Sequence, residues 1–503
     1  MDKRISDLLK KARAYEAEAE KQIPPGDRPV YHFSPRTGWT NDPNGLSFYQ
    51  GKAHLFYQYY PYETKWNSMH WGHAISSDLL HWEYLPAAMA PDESYDSFGC
   101  FSGSASELAD GRQLLMYTGV HPEKTDAGIA FLQTQCMAVG DGLDYEKYQG
   151  NPVITGKDVP EGFSLTDFRD PKIFRRADGT YGCVVGNRSD DGSGALLLFE
   201  SKDGFSWSFR SVLDRCRHEY GTMWECPDFF ELDSHAVIIT SPMEMKAKGL
   251  EFHEGAGTIC LVGSLDETNM MFVRKNVQAI DHGISFYAPQ TFAWPDGRRI
   301  MIGWMQSWSS CFVPEDHGWF GQMTIPRELS IREGKLIQWP VREIGKLYEK
   351  PLAFRNVRVA KEQLQLPGVR GRVMDLSVTV RPEGEGLDFF VLRFAKDDQH
   401  ECAVLFDPKA STITIDRSKA GFKQDFVHVR SCDVQDRNGR IDLRILLDRY
   451  SAEIFVNGGE QALSMTFYTP QEADTITFEA SGEAVMELTA YPIKDSLGGQ
   501  EDE

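Results

Sequence analysis

Trp39-Thr40-Asn41-Asp42-Pro43-Asn44-Gly45 decides how this chain is read, because short motifs of the same kind recur four more times. Phe101-Ser102-Gly103-Ser104-Ala105, Arg169-Asp170-Pro171-Lys172, Glu225-Cys226-Pro227-Asp228 and Phe286-Tyr287-Ala288-Pro289-Gln290 follow in order. Between Asp42, Ser102, Asp170, Glu225 and Tyr287 the gaps are 60, 68, 55 and 62 residues. A period of that size predicts a repeat architecture, and five copies predict a five-bladed β-propeller. If each marker opens an innermost strand, Asp42, Asp170 and Glu225 face one another across the axis despite their separation in sequence. Three carboxylates around one cavity point to carbohydrate chemistry.

A second repeat runs in step with the first. Asp78, Asp141, Asp203 and Asp266 are spaced by 63, 62 and 63 residues, and Trp82, Tyr145, Trp207 or Met270 follows each by four. Asp initiates tight turns, and a large apolar residue just beyond can pack between neighbouring sheets. This set reads as scaffold, and it confirms the period independently.

Composition agrees with an all-β chain. Aromatic residues make up 12% of the 503 residues, and Gly and Pro punctuate the sequence throughout. The net charge of −21 argues against nucleic acid and anionic membranes as partners. Nine cysteines lie singly, with no C-x-x-C and no metal-ligand spacing with His, so no metal is expected. Scattered cysteines and the lack of a signal-like apolar run in residues 1–22 predict a reducing, cytoplasmic setting. Nowhere do eighteen apolar residues run together, so no membrane span is expected.

Residues 1–24 are expected to form a short N-terminal helix, with Ile5, Leu8, Leu9, Ala12 and Tyr15 on its packing face, stopped at Pro24-Pro25. The propeller is expected over 25–340. Apolar runs at 53–59, 114–118, 181–185, 236–240 and 299–304 supply one second strand per blade. A linker helix is expected over 341–356. Alternating strands over 357–494, with the hairpin signal Asn457-Gly458, predict a C-terminal β-sandwich. The acidic end, 495–503, is expected to be disordered.

The motifs together resemble glycoside hydrolase family 32, the β-fructofuranosidases, invertases and sucrose-6-phosphate hydrolases. Residues 39–45, 168–172 and 224–228 resemble its three acidic motifs. His70-Trp71-Gly72-His73-Ala74, Phe101 to Ala105, the 319–329 segment and the 447–457 segment agree as well. The resemblance covers roughly residues 30 to 490. It implies a retaining double displacement on terminal β-fructofuranosyl units. In it Asp42 is the nucleophile at C2, Glu225 the acid/base, and Asp170 the anion that holds sugar hydroxyls and the transition-state charge. Asn41, Gln58, Trp66, Phe101, Ser102, Arg169 and Trp304 match substrate-binding positions. No cofactor is implied.

The residues support these roles in their own terms. Trp224 and Cys226 give Glu225 apolar flanks, which predicts a raised pKa suited to a general acid. Arg169 beside Asp170 predicts that Asp170 stays ionised. Each has a plain alternative: a turn at Asp42, a surface ion pair at Glu225, a structural Arg–Asp pair at 169–170, core packing at Trp66 and Trp304. His54, His70 and His73 lie in Trp- and Tyr-rich strands and read as packing or hydrogen-bonding residues. One departure stands out: Ser285 occupies a position where the family commonly has Asp on the leaving-group side. Sucrose-6-phosphate hydrolysis, fructosyl transfer and a non-catalytic carbohydrate-binding propeller remain as alternatives to hydrolysis of sucrose and short fructo-oligosaccharides.

Overall fold

The computed structural model describes residues 5–126, 128–314, 317–422, 426–437 and 440–494; the expectation for 495–503 lies outside them. Five antiparallel sheets form the first part, opening on Gly38–Tyr49, Gly99–Glu107, Phe163–Arg175, Trp224–Leu232 and Tyr287–Ala293. These five first strands pack side by side in a closed ring, the last returning to the first. The second strands, among them Lys52–Tyr60 and Arg299–Trp304, fall on the apolar runs that the sequence marks. The two-residue strand Trp319–Phe320, from the fifth blade's region, pairs in parallel with Gly38 and Trp39 of the first, which latches the ring.

Every first strand carries a one-residue bulge at its marker. Pairing slips between Thr40 and Pro43, Phe101 and Gly103, Arg169 and Lys172, Glu225 and Asp228, and Tyr287 and Gln290. Four of the five bulges hold a proline, which cannot donate to a ladder and is tolerated at bulges. Asp170, Cys226 and Ala288 have φ of 65°, 47° and 50°. Such non-glycine backbone costs about 1–3 kcal/mol, and it re-aims side chains that an ordinary strand would point elsewhere.

The second repeat also has its structure. Asp78, Asp141, Asp203 and Asp266 each accept two backbone N–H bonds from residues two and three further on. They cap the turns between third and fourth strands of blades I to IV. Trp82, Tyr145, Trp207 and Met270 then pack against four different core clusters, as scaffold residues should.

The N-terminal helix spans Asp7–Ala19, capped by Ser6. Its buried face is Leu9, Ala12 and Glu16, whereas Leu8 and Tyr15 are exposed. The expected stripe is thus rotated, because Glu16 is drawn in to accept the Ala87 backbone N–H at 2.9 Å. Between the domains stands only a six-residue 3-10 helix, Arg342–Leu347, rather than a helix over 341–356. Leu352–Val359 is already a strand of the second unit.

That unit is a sandwich-like sheet built on two long bent strands, Met374–Lys396 and Thr475–Pro492, paired with each other. The first half of Met374–Lys396 pairs with Ile441–Asp448 and the second half with Glu401–Asp407, so one strand serves both layers. Alternation alone does not mark a strand of this length, because its pairing shifts register between Pro382 and Phe389. Asn457 and Gly458, both at positive φ, turn Ser451–Val456 into Gln461–Thr466.

A buried charge network joins the two units. His32 lies between Asp448 and Glu453, each at 2.8 Å, and all three side chains are inaccessible. Arg327 donates to Glu453 at 2.6 Å and to Asp281 at 3.1 Å. Burial opposes charge on His32, but the two carboxylates outweigh it and raise its pKa from 6.5 to about 9. A raised histidine stabilises the fold below its unfolded pKa and loses that contribution as pH rises through the folded one. The wild type is therefore expected to lose about 2 kcal/mol between neutral pH and roughly pH 9.5 from this residue. His32→Gln should lack that slope; thermal unfolding across the range measures it, and an equal slope in the variant refutes the assignment.

Candidate functional site

The bulged ends of the first strands gather the predicted carboxylates. Asp42 and Asp170 are nearly inaccessible, and one group touches both: the Cys226 thiol, 3.2 Å from Asp42 Oδ2 and 3.5 Å from Asp170 Oδ2. Asp42 accepts from Ser102 Oγ at 2.6 Å and from Asn41 Nδ2 at 3.0 Å. Asn41 is itself held by the Trp39 indole N–H at 2.8 Å. Asp170 accepts the Cys226 backbone N–H at 2.9 Å. The αL backbone at Cys226 and the bulge beside it bring both donors of that residue onto the two aspartates.

Glu225 sits in polar company. Arg169 reaches its Oε1 through Nη2 at 2.8 Å and Nε at 3.1 Å, and the Tyr287 hydroxyl donates to Oε2 at 2.6 Å. This corrects the apolar pocket expected from the flanking residues. Trp224 turns into the core with its indole donating to Tyr220, and Cys226 turns to the aspartates. Neighbours along a strand face away from each other, so flanking residues do not describe a side chain's surroundings.

Arg169 also fails to do what adjacency suggests. Its guanidinium donates to Glu225 and to Asp167 at 2.9 Å, and acts on Asp170 through its field. Burial raises the Asp170 pKa; the field of Arg169 opposes this, and the charges of Glu225 and Asp42 reinforce it. Burial raises Asp42 as well, against the hydrogen bonds from Ser102 and Asn41. Three carboxylates and one guanidinium thus cluster at the bulged strand ends, where burial and neighbouring negative charge both oppose ionisation of the two aspartates.

The remaining predicted residues divide. Gln58 lies beneath the site, donating to the Cys100 carbonyl at 3.0 Å. Trp66 is 39% exposed and meets Phe101 edge-on with centroids 5.8 Å apart, so both stand at the rim. Trp304 is fully buried, covered by Trp39 and Trp308, and presents no open face to a sugar. Trp308 takes the outward place: it is 40% exposed and stacks on Trp39 with an interplanar angle of 19°. Ser285 is not at the site. It is fully buried, with its Oγ 3.2 Å from Thr466 and 3.4 Å from Arg417 of the second unit. Two contacts on the carboxylates were missed from sequence, Cys226 and Tyr287. Cys226 directly precedes a motif proline and Tyr287 lies two residues before one, and the bulge that those prolines mark is the signal that could have found them. Among the described residues no group of three or more His, Cys, Asp or Glu is arranged to hold a metal ion.

Comparison with known proteins agrees with this geometry. The model described as "Glycosyl hydrolases family 32 N-terminal domain" matches residues 32–340, and "Glycosyl hydrolases family 32 C terminal" matches residues 343–492. The chain is 35% identical over 469 residues to a sucrose-6-phosphate hydrolase of Escherichia coli, covering 91% of this chain and 93% of that one. To a raffinose invertase of the same organism it is 35% identical over 471 residues, with the same coverage. A Bombyx mori family 32 β-fructofuranosidase superposes with a TM-score of 0.82 at 32% identity, over 97% of this chain and 98% of that one.

Proposed function

The chain belongs to glycosyl hydrolases family 32, and on that premise we propose that it hydrolyses terminal β-D-fructofuranosyl residues from sucrose and short fructo-oligosaccharides. The observation that carries the proposal is the clustering of Asp42, oriented by two neutral donors, with Glu225, steered by Arg169 and Tyr287, at the bulged ends of the ring of first strands. Asp42 Oδ attacks C2 of the fructosyl unit while Glu225 gives its proton to the departing oxygen. A covalent ester forms and the glycosidic C–O bond breaks. Glu225, now ionised, takes a proton from water, whose oxygen displaces Asp42 and releases β-fructose. Asp170 binds sugar hydroxyls and stabilises the oxocarbenium-like charge.

A phosphorylated leaving group is the second reading, favoured by the sucrose-6-phosphate hydrolase among the relatives. The absence of any disulfide among nine cysteines supports a reducing compartment, so the enzyme is proposed to work in the cytoplasm. No helix of the described residues is long and apolar enough to cross a membrane. Side-by-side product analysis on sucrose, sucrose 6-phosphate, kestose and inulin separates the readings. A hundredfold preference for the phosphorylated substrate replaces the first with the second. Proton NMR in the first seconds of turnover is expected to show β-fructofuranose before mutarotation, and initial α anomer would exclude the double displacement.

A further inference from the structure

We infer that the C-terminal unit takes part in the site: Arg417 is a positioning residue that holds the loop bearing Trp308 over Trp39, on the outward, leaving-group path. This rests on the fructosidase reading for its consequence, though not for its geometry. Arg417 is fully buried, and Phe422 and Phe426 flank its guanidinium at 5.0 and 5.3 Å. One Nη donates to the Thr466 carbonyl at 2.7 Å and lies 3.4 Å from Ser285 Oγ; the other reaches the carbonyls of Val427 at 3.2 Å and Ser310 at 3.4 Å. Ser310 in turn donates its hydroxyl to the Ile284 carbonyl at 2.7 Å. Gln306, at the loop's other end, donates to Thr466 Oγ1 at 3.2 Å.

Arg417 thus ties the approach to the fifth inner strand to one end of the segment carrying Trp308, and Thr466, which Arg417 itself holds, ties down the other end through Gln306. From Trp308 the contacts run inward without a gap. Its ring stacks on Trp39 at 6.1 Å, the Trp39 indole holds Asn41, and Asn41 donates to Asp42. Asp42 is buried, so everything beyond the terminal fructosyl unit must lie on its solvent side, where Trp308, like Trp66 at the rim, is an exposed aromatic face. An aromatic face held at a fixed place supplies stacking area that a free loop would have to order first. The Ser285 departure takes its meaning here, in the support of this loop rather than in a subsite.

The test compares Arg417→Met, Arg417→Lys, Trp308→Ala and the Arg417→Met/Trp308→Ala double variant. Activity is read as the ratio of kcat/KM for kestose to that for methyl β-fructofuranoside, which has almost no leaving group. Arg417→Met is expected to lower the ratio about tenfold, chiefly through KM, and Trp308→Ala to do the same. The double variant should be no worse than Trp308→Ala, since both act through one element. Near-ultraviolet circular dichroism of the Trp39–Trp304–Trp308 cluster supplies a readout that needs no turnover, and Arg417→Met should halve its signal or more. Should Arg417→Met not fold, Arg417→Lys, which cannot span the same carbonyls, decides by both readouts. An unchanged ratio with an unchanged spectrum, or additive losses in the double variant, overturns the inference. A wild type that cleaves neither fructoside overturns the function instead, and the spectrum then still judges the positioning.

Discussion

Asp42→Ala is expected to abolish turnover of every fructoside, while Glu225→Ala remains active wherever the leaving group needs no proton. The two carboxylates differ in what surrounds them. Asp42 receives Ser102 and Asn41, neutral donors that orient an attacking oxygen without neutralising it. Glu225 is gripped on both oxygens by Arg169 and Tyr287, which fixes the direction of proton delivery. Losing the nucleophile removes the covalent route, and a loss of at least about 10⁴-fold is expected, roughly 5.5 kcal/mol of transition-state stabilisation. Losing the acid should cost as much on sucrose and far less on p-nitrophenyl β-fructofuranoside, whose phenolate departs unaided. Azide should then restore turnover in Glu225→Ala by attacking C2 of the ester and displacing Asp42, giving β-fructosyl azide. No product of that kind, or equal small losses in both variants, would refute the division of roles.

How far the sequence carries this picture depends on the range of the contact concerned. The five blades are legible because each repeats a local device. A bulge opens the inner strand, proline-bearing in four of the five, and an aspartate caps the turn between the outer strands of four blades. The three carboxylates follow, since the bulge fixes where they point. What was illegible is what distant elements decide. Glu225 has apolar neighbours in sequence and polar ones in space. Trp304 and Trp308 lie four residues apart on one segment, yet packing buries the first and exposes the second. Ser285 faces Thr466, 181 residues away, and its place in the seam cannot be read from its motif. The long bent strands of the second unit are paired by tertiary contacts that local alternation does not encode.

Asp170→Asn is expected to lower kcat/KM and to move the acid limb of its pH profile downward. The substitution is close to isosteric, and Asn tolerates the αL backbone at this position, where φ is 65°. An amide oxygen can still accept the Cys226 N–H now held at 2.9 Å, so the strand should keep its shape. What disappears is one negative charge where the transition state becomes positive. Removal of such a preorganised group typically costs about a hundred- to a thousandfold. The sign of the pH effect follows from burial and mutual repulsion. Burial raises the pKa of Asp42, and Glu225 adds to it; the charge of Asp42 helps raise Asp170, and by reciprocity a charged Asp170 opposes ionisation of Asp42. The nucleophile works only when ionised, so its protonation on the acid side shuts the enzyme down. Taking away the Asp170 charge lets Asp42 ionise more easily, and the limb shifts to lower pH even as the plateau falls. Profiles of kcat/KM for sucrose between roughly pH 3 and 8 in both enzymes measure this. A limb that stays in place would mean that the two aspartates titrate independently, and that Asp170 acts by binding sugar hydroxyls alone.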